Sequence, residues 1–168
     1  DSGCAQVLIG LESPCENGLN NLELNSNWKF RKLPVYRDAI RKIQAHGVTV
    51  NGCFIIGLDG HGPEIFDEVF SFVQETGLYE VQVTILTPFP GTPLYERLAS
   101  GGRILEEGRW DKCTLFDINF RPTGMTPAQL RDGFRDLVVK LYSDEFTRWR
   151  RENFRKSLRT VRRKKGAA

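Results

Sequence analysis

"VTVNGCFIIGLDGHGPEIFDEVFSFVQETGLYEVQVTIL", residues 48–86, decides the fold. It opens with a run of Val, Ile and Phe that ends at Gly57-Leu58, the composition of a buried strand. Asp59-Gly60-His61-Gly62-Pro63 is turn chemistry. Ile65, Phe66, Val69, Phe72 and Val73 then recur at helical spacing until Gly77 stops them, and residues 79–86 form a second strand. A strand, a helical crossover and a strand in this order belong to a parallel sheet with right-handed connections.

The neighbouring segments extend the pattern in both directions. "AQVLIGL", residues 5–11, reads as an earlier strand buried on both faces, residues 48–58 as a second buried strand, and residues 79–86 as a third that alternates at first and then turns apolar. A loop rich in Asn, Gly and Ser follows, with room for one short helical turn. Pro34 opens a helix through Tyr36, Ala39, Ile40 and Ile43 that Gly47 terminates. Beyond the third strand, "TPFPGTPLY", residues 87–95, carries three prolines and a glycine, and a short helix spans Leu94 to Leu98. "CTLFDINF", residues 113–120, is a weaker candidate strand. Thr126 can cap a long helix through Leu130, Phe134, Leu137, Val138 and Leu141. The expected class is α/β, either an open doubly wound sheet or part of a (β/α) barrel, with a C-terminal helical extension. The first strand is left with an unpaired edge.

The chain has 168 residues, of which 40% are hydrophobic and 27% charged, the proportions of one globular domain with a real core. No apolar run approaches the ~20 residues of a transmembrane helix, and no secretory segment is apparent, so the expected compartment is the cytoplasm. A first residue of Asp1, with "VLIGL" following almost at once, is what a fragment or trimmed chain would show. Charge is uneven. From Thr147 onward ten Lys or Arg face Glu152 alone, giving +9, so a chain of net +3 has a body of −6. That sets off a basic tail at 147–168; ahead of it are expected an α/β unit at 1–98 and an extension at 99–146. The tail is expected to extend the last helix or to fray in solvent.

Parallel folds place ligands beyond the carboxyl ends of their strands. Three stretches qualify: Glu12-Ser13, Gly57-Leu58-Asp59-Gly60-His61, and Thr87 to Thr92. Glu12 can accept hydrogen bonds from hydroxyl or amino groups of a ligand, or can serve as a cap or loop ion pair. Gly57 lets a flat ring approach the backbone, or simply makes a turn. Asp59 and His61 could form an acid/base pair, although their setting is that of an ordinary turn. Lys29, Arg31 and Lys32 precede the first full helix, where one could meet a carboxylate. Cys53 reads as core, and Trp28, Trp110 and Trp149 read as packing residues. Cys4, Cys15, Cys53 and Cys113 lie 11, 38 and 60 residues apart, which excludes a compact metal motif read from spacing. No phosphate-binding glycine loop, HExxH or GxSxG occurs.

"VLIGLES" (7–13), "VTVNGCFIIGLDGHGPEIFDEVFSFV" (48–73) and "VQVTILTPFPGTPLYERL" (81–98) together resemble the second half of a radical SAM core domain, in the branch that often carries a cobalamin-binding domain upstream. The resemblance covers residues 4 to 98 and is less distinct over 99 to 146. It implies about half of a radical SAM-type (β/α) barrel. The implied chemistry is a 4Fe–4S cluster cleaving S-adenosylmethionine to a radical that abstracts hydrogen from substrate. Carried over by position, Glu12 contacts the methionine or ribose part of S-adenosylmethionine, Lys29 its carboxylate, and Ile55 and Gly57 the adenine. Thr87, Pro88, Pro90, Gly91 and Thr92 form a stiff wall between that cofactor and the substrate. Cys53 stands where relatives can have an acidic residue for the ribose. The C-x3-C-x2-C cluster motif is missing, so the implied partner is an upstream half, and the chain alone is expected to hold no cluster and to show no turnover. Substrate, small molecule or RNA, is left open, as is the use of cobalamin. Two other readings compete: nucleic-acid binding through the basic tail, and a (β/α) enzyme independent of S-adenosylmethionine that uses Glu12, Asp59 and His61.

Overall fold

A computed structural model describes residues 3–20 and 27–166, with side chains to residue 160. Three parallel strands, β1 (Gln6–Glu12), β2 (Thr49–Ile56) and β3 (Glu80–Ile85), form one sheet in the order β1-β2-β3. The register runs Gln6↔Thr49 to Gly10↔Cys53 on one side of β2 and Asn51↔Glu80 to Ile56↔Ile85 on the other. The helices are α1 (Glu16–Leu19), α2 (Trp28–Lys32), α3 (Tyr36–Ala45), α4 (Ile65–Thr76), α5 (Pro93–Ser100), α6 (Pro127–Tyr142) and α7 (Asp144–Gly166). The α/β class and parallel pairing therefore hold. The sheet does not close on itself among the described residues.

The crossover helices form where the apolar spacing put them. In α4, Ile65, Val69, Phe72 and Val73 are buried, and Gly77 ends the helix at φ +62, its N–H donating to Val73 O at 3.1 Å. Burial in β2 alternates residue by residue: Val50, Phe54 and Ile56 are buried, while Asn51, Cys53 and Ile55 are only half-buried. In β3, Val81, Val83 and Ile85 are buried, whereas Gln82 is exposed. The first set packs with Ile40 of α3 and with Phe72 and Val73 of α4, and the Phe54 and Phe72 rings meet edge to face at 5.8 Å. Each such side chain contributes about 1.5–3 kcal/mol when fully buried.

The expectation of burial on both faces is thus corrected for β1 and β2, while the alternation read at the start of residues 79–86 holds in β3. Helices cover one face, and the other presents a shallow mixed surface ending in Leu8, which is 65% exposed on the edge strand. "CTLFDINF" is not a strand either. Ile104 and Phe120 form an isolated antiparallel bridge, and Leu115, at φ +70, only lends its carbonyl to the Ile85 N–H at 2.7 Å. Trp28, Trp110 and Trp149 remain 52%, 49% and 37% exposed, and the last two pack at the surface, Trp110 against Tyr95 at 5.5 Å and Trp149 stacked on Phe146 at 5.2 Å.

The C-terminal extension is two helices broken at Ser143. Thr126 closes a capping box with Gln129 at the start of α6, whose Leu130, Leu137 and Leu141 are buried. In α7, Arg150 is 1% exposed and Phe154 is buried. The Arg150 guanidinium donates to Tyr79 O at 3.2 Å, Leu141 O at 3.1 Å and Thr147 Oγ1 at 3.3 Å. Burial pulls its pKa down, with Glu80 and Tyr142 acting the other way. Within the described residues the basic segment neither extends α6 nor frays. It turns at Ser143 and packs through Arg150 and Phe154, while Arg148, Arg151, Arg155, Lys156 and Arg159 stay exposed.

Candidate functional site

Glu12 ends β1 just past a register shift between Gly10 and Glu12, with its backbone in the left-handed region at φ +65. A non-glycine residue there costs about 1–2 kcal/mol, which the surrounding structure must hold in place. Its carboxylate pairs with the Lys29 ammonium of α2, and the pair lies over Gly10, where a Cβ would come within 3.2 Å of Lys29 Nζ. Gly10 is registered with Cys53, and the Cys53 thiol donates to Gln82 Oε1 at 3.3 Å. Burial raises the Cys53 pKa, the Glu12 carboxylate adds to the rise, and Lys29 opposes it. Glu12, Lys29, Cys53 and Gln82 therefore make a polar band across the open face of the sheet, rather than Cys53 lying in the core. Ile55, half-buried, stands one step further along the same face.

Gly57 has φ +93, and a Cβ there would sit 2.9 Å from Phe120 Cζ and 3.3 Å from Leu130 Cδ2. Its missing side chain faces the C-terminal extension. The Gly57 N–H donates to His61 Nδ1 at 3.3 Å. An amide can only donate, so Nδ1 is the bare nitrogen and the ring proton lies on Nε2, which reaches Ser13 Oγ at 3.0 Å. Ser13 Oγ also accepts from the Cys15 N–H at 3.3 Å, leaving its own proton for Cys15 Sγ at 3.2 Å. His61 is 2% exposed, and burial depresses its pKa to about 4 despite the opposing pull of Glu64. It is a neutral bolt between the exits of β1 and β2.

Asp59 does not join it. The Asp59 carboxylate is paired with Arg97 of α5 and with Arg103 at 2.7 Å. Partial burial raises its pKa, but hydrogen bonds and charge from Arg103 and Arg97 outweigh this, and the net pKa lies below the ordinary value. The acid/base pair that these two residues could have made is therefore not formed, in keeping with the turn reading of the stretch. The two residues serve different contacts.

At the third exit, Thr87 and Pro88 are buried while Pro90 and Gly91 are exposed. The Thr87 hydroxyl donates to Ile85 O at 3.0 Å, and Thr92 Oγ1 both donates to Phe89 O at 2.7 Å and accepts the Tyr95 N–H at 3.2 Å. Thr92 thus caps α5, with Pro93 in its first turn. The proline-rich stretch is a self-bonded turn that feeds a helix.

All three exits border one cleft of about 880 Å³. Asn17 and Asn20 line it after β1, Leu58 and Asp59 after β2, and Leu86, Leu94 and Arg97 after β3. Asn17, Arg97 and Arg103 were not singled out in the sequence. Arg97 could have been, since it follows Leu94 by three residues on a helix that starts at a strand exit. Among the described residues no group of three or more His, Cys, Asp or Glu could hold a metal ion, and Cys15, Cys53 and Cys113 are free thiols. Also among the described residues, no helix is long and apolar enough to cross a membrane.

Residues 92–168 match the family described as a domain of unknown function (DUF4070). The chain is 28% identical over 141 residues to the bacteriochlorophyllide d C-12(1)-methyltransferase of Chlorobaculum tepidum, covering 84% of this chain and 29% of that protein. It is 26% identical over 101 residues to the hopanoid C-2 methylase of Rhodopseudomonas palustris, covering 60% of this chain and 18% of the methylase. It is 22% identical over 158 residues to the anaerobic magnesium-protoporphyrin IX monomethyl ester cyclase of Cereibacter sphaeroides, covering 92% of this chain and 24% of the cyclase. The chain therefore spans less than a third of the length of these curated relatives.

Proposed function

As a member of the radical SAM superfamily that corresponds to the C-terminal half of its core domain, in the branch often associated with cobalamin-binding domains, this chain supplies, we propose, the S-adenosylmethionine-lining and substrate-lining strands of a methylating or cyclising enzyme. One observation carries the reading: three neighbouring parallel strands empty into a single cleft, and the Glu12–Lys29 pair, outside that cleft's lining, closes the open sheet face at the end of β1.

The residues present fit the cofactor. The methionine part of S-adenosylmethionine bears one ammonium and one carboxylate, the complements of Glu12 and Lys29, which already hold each other on a strained turn. Ile55 offers an apolar, half-open surface on the same face for a purine ring. Gly57 acts one layer behind, held by His61 and capped by Phe120 and Leu130, and so fixes the backbone that Ile55 leads into. Thr87 and Thr92 stiffen the wall at the third exit through their bonds to Ile85 O and Phe89 O. When bound, S-adenosylmethionine supplies a sulfonium that either gives up its methyl group or is reductively cleaved to a hydrogen-abstracting radical.

The cluster does not fit this chain. Its scattered cysteines offer no triad of ligands among the described residues, so the iron, its C-x3-C-x2-C ligands and any cobalamin are assigned to an upstream partner half. The half-barrel arrangement is part of the same proposal, with the open sheet face as its inner wall. Large polycyclic substrates, which the relatives' names specify, are the class we assign to the parent enzyme.

The test uses a polypeptide carrying this chain behind a C-x3-C-x2-C half, reconstituted anaerobically with iron and sulfide and reduced. Formation of 5′-deoxyadenosine is expected to fall about tenfold or more in Glu12→Ala and in Lys29→Ala, the loss of a charge-assisted contact. Wild-type rates in both variants would refute the assignment.

A second reading rests on α7, where Arg148, Arg151 and Arg155 line one shallow depression with Asp144 and Thr147. This face suits the phosphates of RNA. Retention on RNA that weakens steeply with salt, and is lost in a triple Arg→Gln variant of these positions, would establish it. No retention at low salt would dismiss it.

A further inference from the structure

Arg97 and Arg103 share one carboxylate, Asp59. Two guanidinium groups on one acidic group leave one positive charge in excess. Arg103 is mostly covered, with a side chain 21% exposed, whereas Arg97 is 60% exposed and lines the strand-exit cleft. Among the described lining residues Asp59 and Arg97 are the only charged ones. Leu58 and Leu86 are buried in the floor, Leu94 adds to it from α5, and the amides of Asn17 and Asn20 stand at the side. At about 880 Å³ the cleft is in the range of ordinary ligand sites.

We infer that this cleft takes an apolar molecule bearing a carboxylate, whose acid group pairs with Arg97 and whose apolar body lies on Leu58, Leu86 and Leu94. Arg97 is suited to it because the guanidinium fork matches a planar carboxylate, and its Nη1 already pairs with one oxygen of Asp59, Oδ2, within the molecule. Asp59 also keeps the site selective: it holds Arg97 in position, yet competes for it, so that only a ligand with enough apolar body to add to the ion pair displaces it. The inference deepens the proposed function, since it gives the substrate-bearing end of the strands a chemical preference.

The test is a fluorescence titration of the chain with pyrenebutyric acid and with its neutral analogue pyrenebutanol at near-physiological salt. The acid is expected to bind about tenfold more tightly than the alcohol. Arg97→Gln should abolish that preference without changing alcohol binding. Asp59→Asn should strengthen acid binding alone, and Arg155→Gln on α7 should change neither. Arg97→Lys, which keeps the charge but not the fork, should retain part of the preference. Equal binding of acid and alcohol by the native chain, a preference that survives Arg97→Gln, or one that disappears with Arg155→Gln would each overturn the inference. Absence of the preference alongside intact, Glu12-dependent 5′-deoxyadenosine formation in the longer polypeptide sinks this inference alone. The reverse outcome sinks the cofactor assignment alone.

Discussion

Acidification from about pH 7.5 to about pH 4.5 is expected to weaken the fold through His61, and the loss can be worked from its environment. The ring is buried, receives the Gly57 N–H on Nδ1 and gives its Nε2 proton to Ser13 Oγ, so a second proton on Nδ1 would face the Gly57 donor instead of an acceptor. Its pKa in the fold is about 4, against about 6.5 in the unfolded chain. A folded value below the unfolded one means the unfolded state binds the proton first as pH drops. The stabilisation is complete above about pH 6.5 and declines as pH falls toward 4, by about 2.5 kcal/mol at pH 4.5. With a urea slope of about 2 kcal/mol per molar, the midpoint should move down by roughly 1 M. The assay is urea unfolding followed by circular dichroism across this range, for the native chain and for His61→Gln, which can still accept and donate but cannot titrate. Carboxylates such as Asp59 titrate in both proteins, so the difference between the two curves isolates His61. Parallel pH dependences would refute the reasoning, because they would mean that the protonated ring is accommodated at no cost.

Three other outcomes follow from the packing. Gly57→Ala places a methyl at φ +93 and 2.9 Å from Phe120 Cζ, and should destabilise by about 2–4 kcal/mol in urea unfolding, the sum of backbone strain and overpacking. Arg150→Ala leaves the Tyr79 and Leu141 carbonyls without their donor and should cost about 2–4 kcal/mol, with Arg150→Lys recovering only part because an ammonium lacks the fork. Thr126→Ala removes the capping box of α6 and should cost about 1 kcal/mol, read as a lower thermal midpoint.

What the sequence made legible was what repeats on a short period. Helices α3, α4 and α5 were visible because Ile40, Ile43, Val69, Phe72 and Leu98 recur at helical spacing and Gly47 and Gly77 punctuate them. The one-sided sheet was not visible, since Ile55 and Ile56 are equally apolar and only the fold decides which of them is covered. Five-residue α2 is too short to show a period, so the helix that delivers Lys29 to Glu12 stayed hidden. His61 was concealed by its flanking glycines, which look like a turn, while the room for its ring comes from distant Gly18, where a Cβ would run into His61 Nε2. Arg150 was concealed by its charge. The signal was there in Phe146, Arg150 and Phe154, four residues apart, an aromatic seam with a cation set into it.

That seam changes what the highly charged terminus can be used for. Arg150 grips the carbonyl of Tyr79, immediately ahead of β3 and hence at the end of the sheet away from the cleft, so the last helix braces the foot of the molecule while ligands would gather at its head. Cutting the terminus away to probe its electrostatics would remove a girder along with the charge, and the resulting loss of any activity would be a mechanical failure misread as a lost contact.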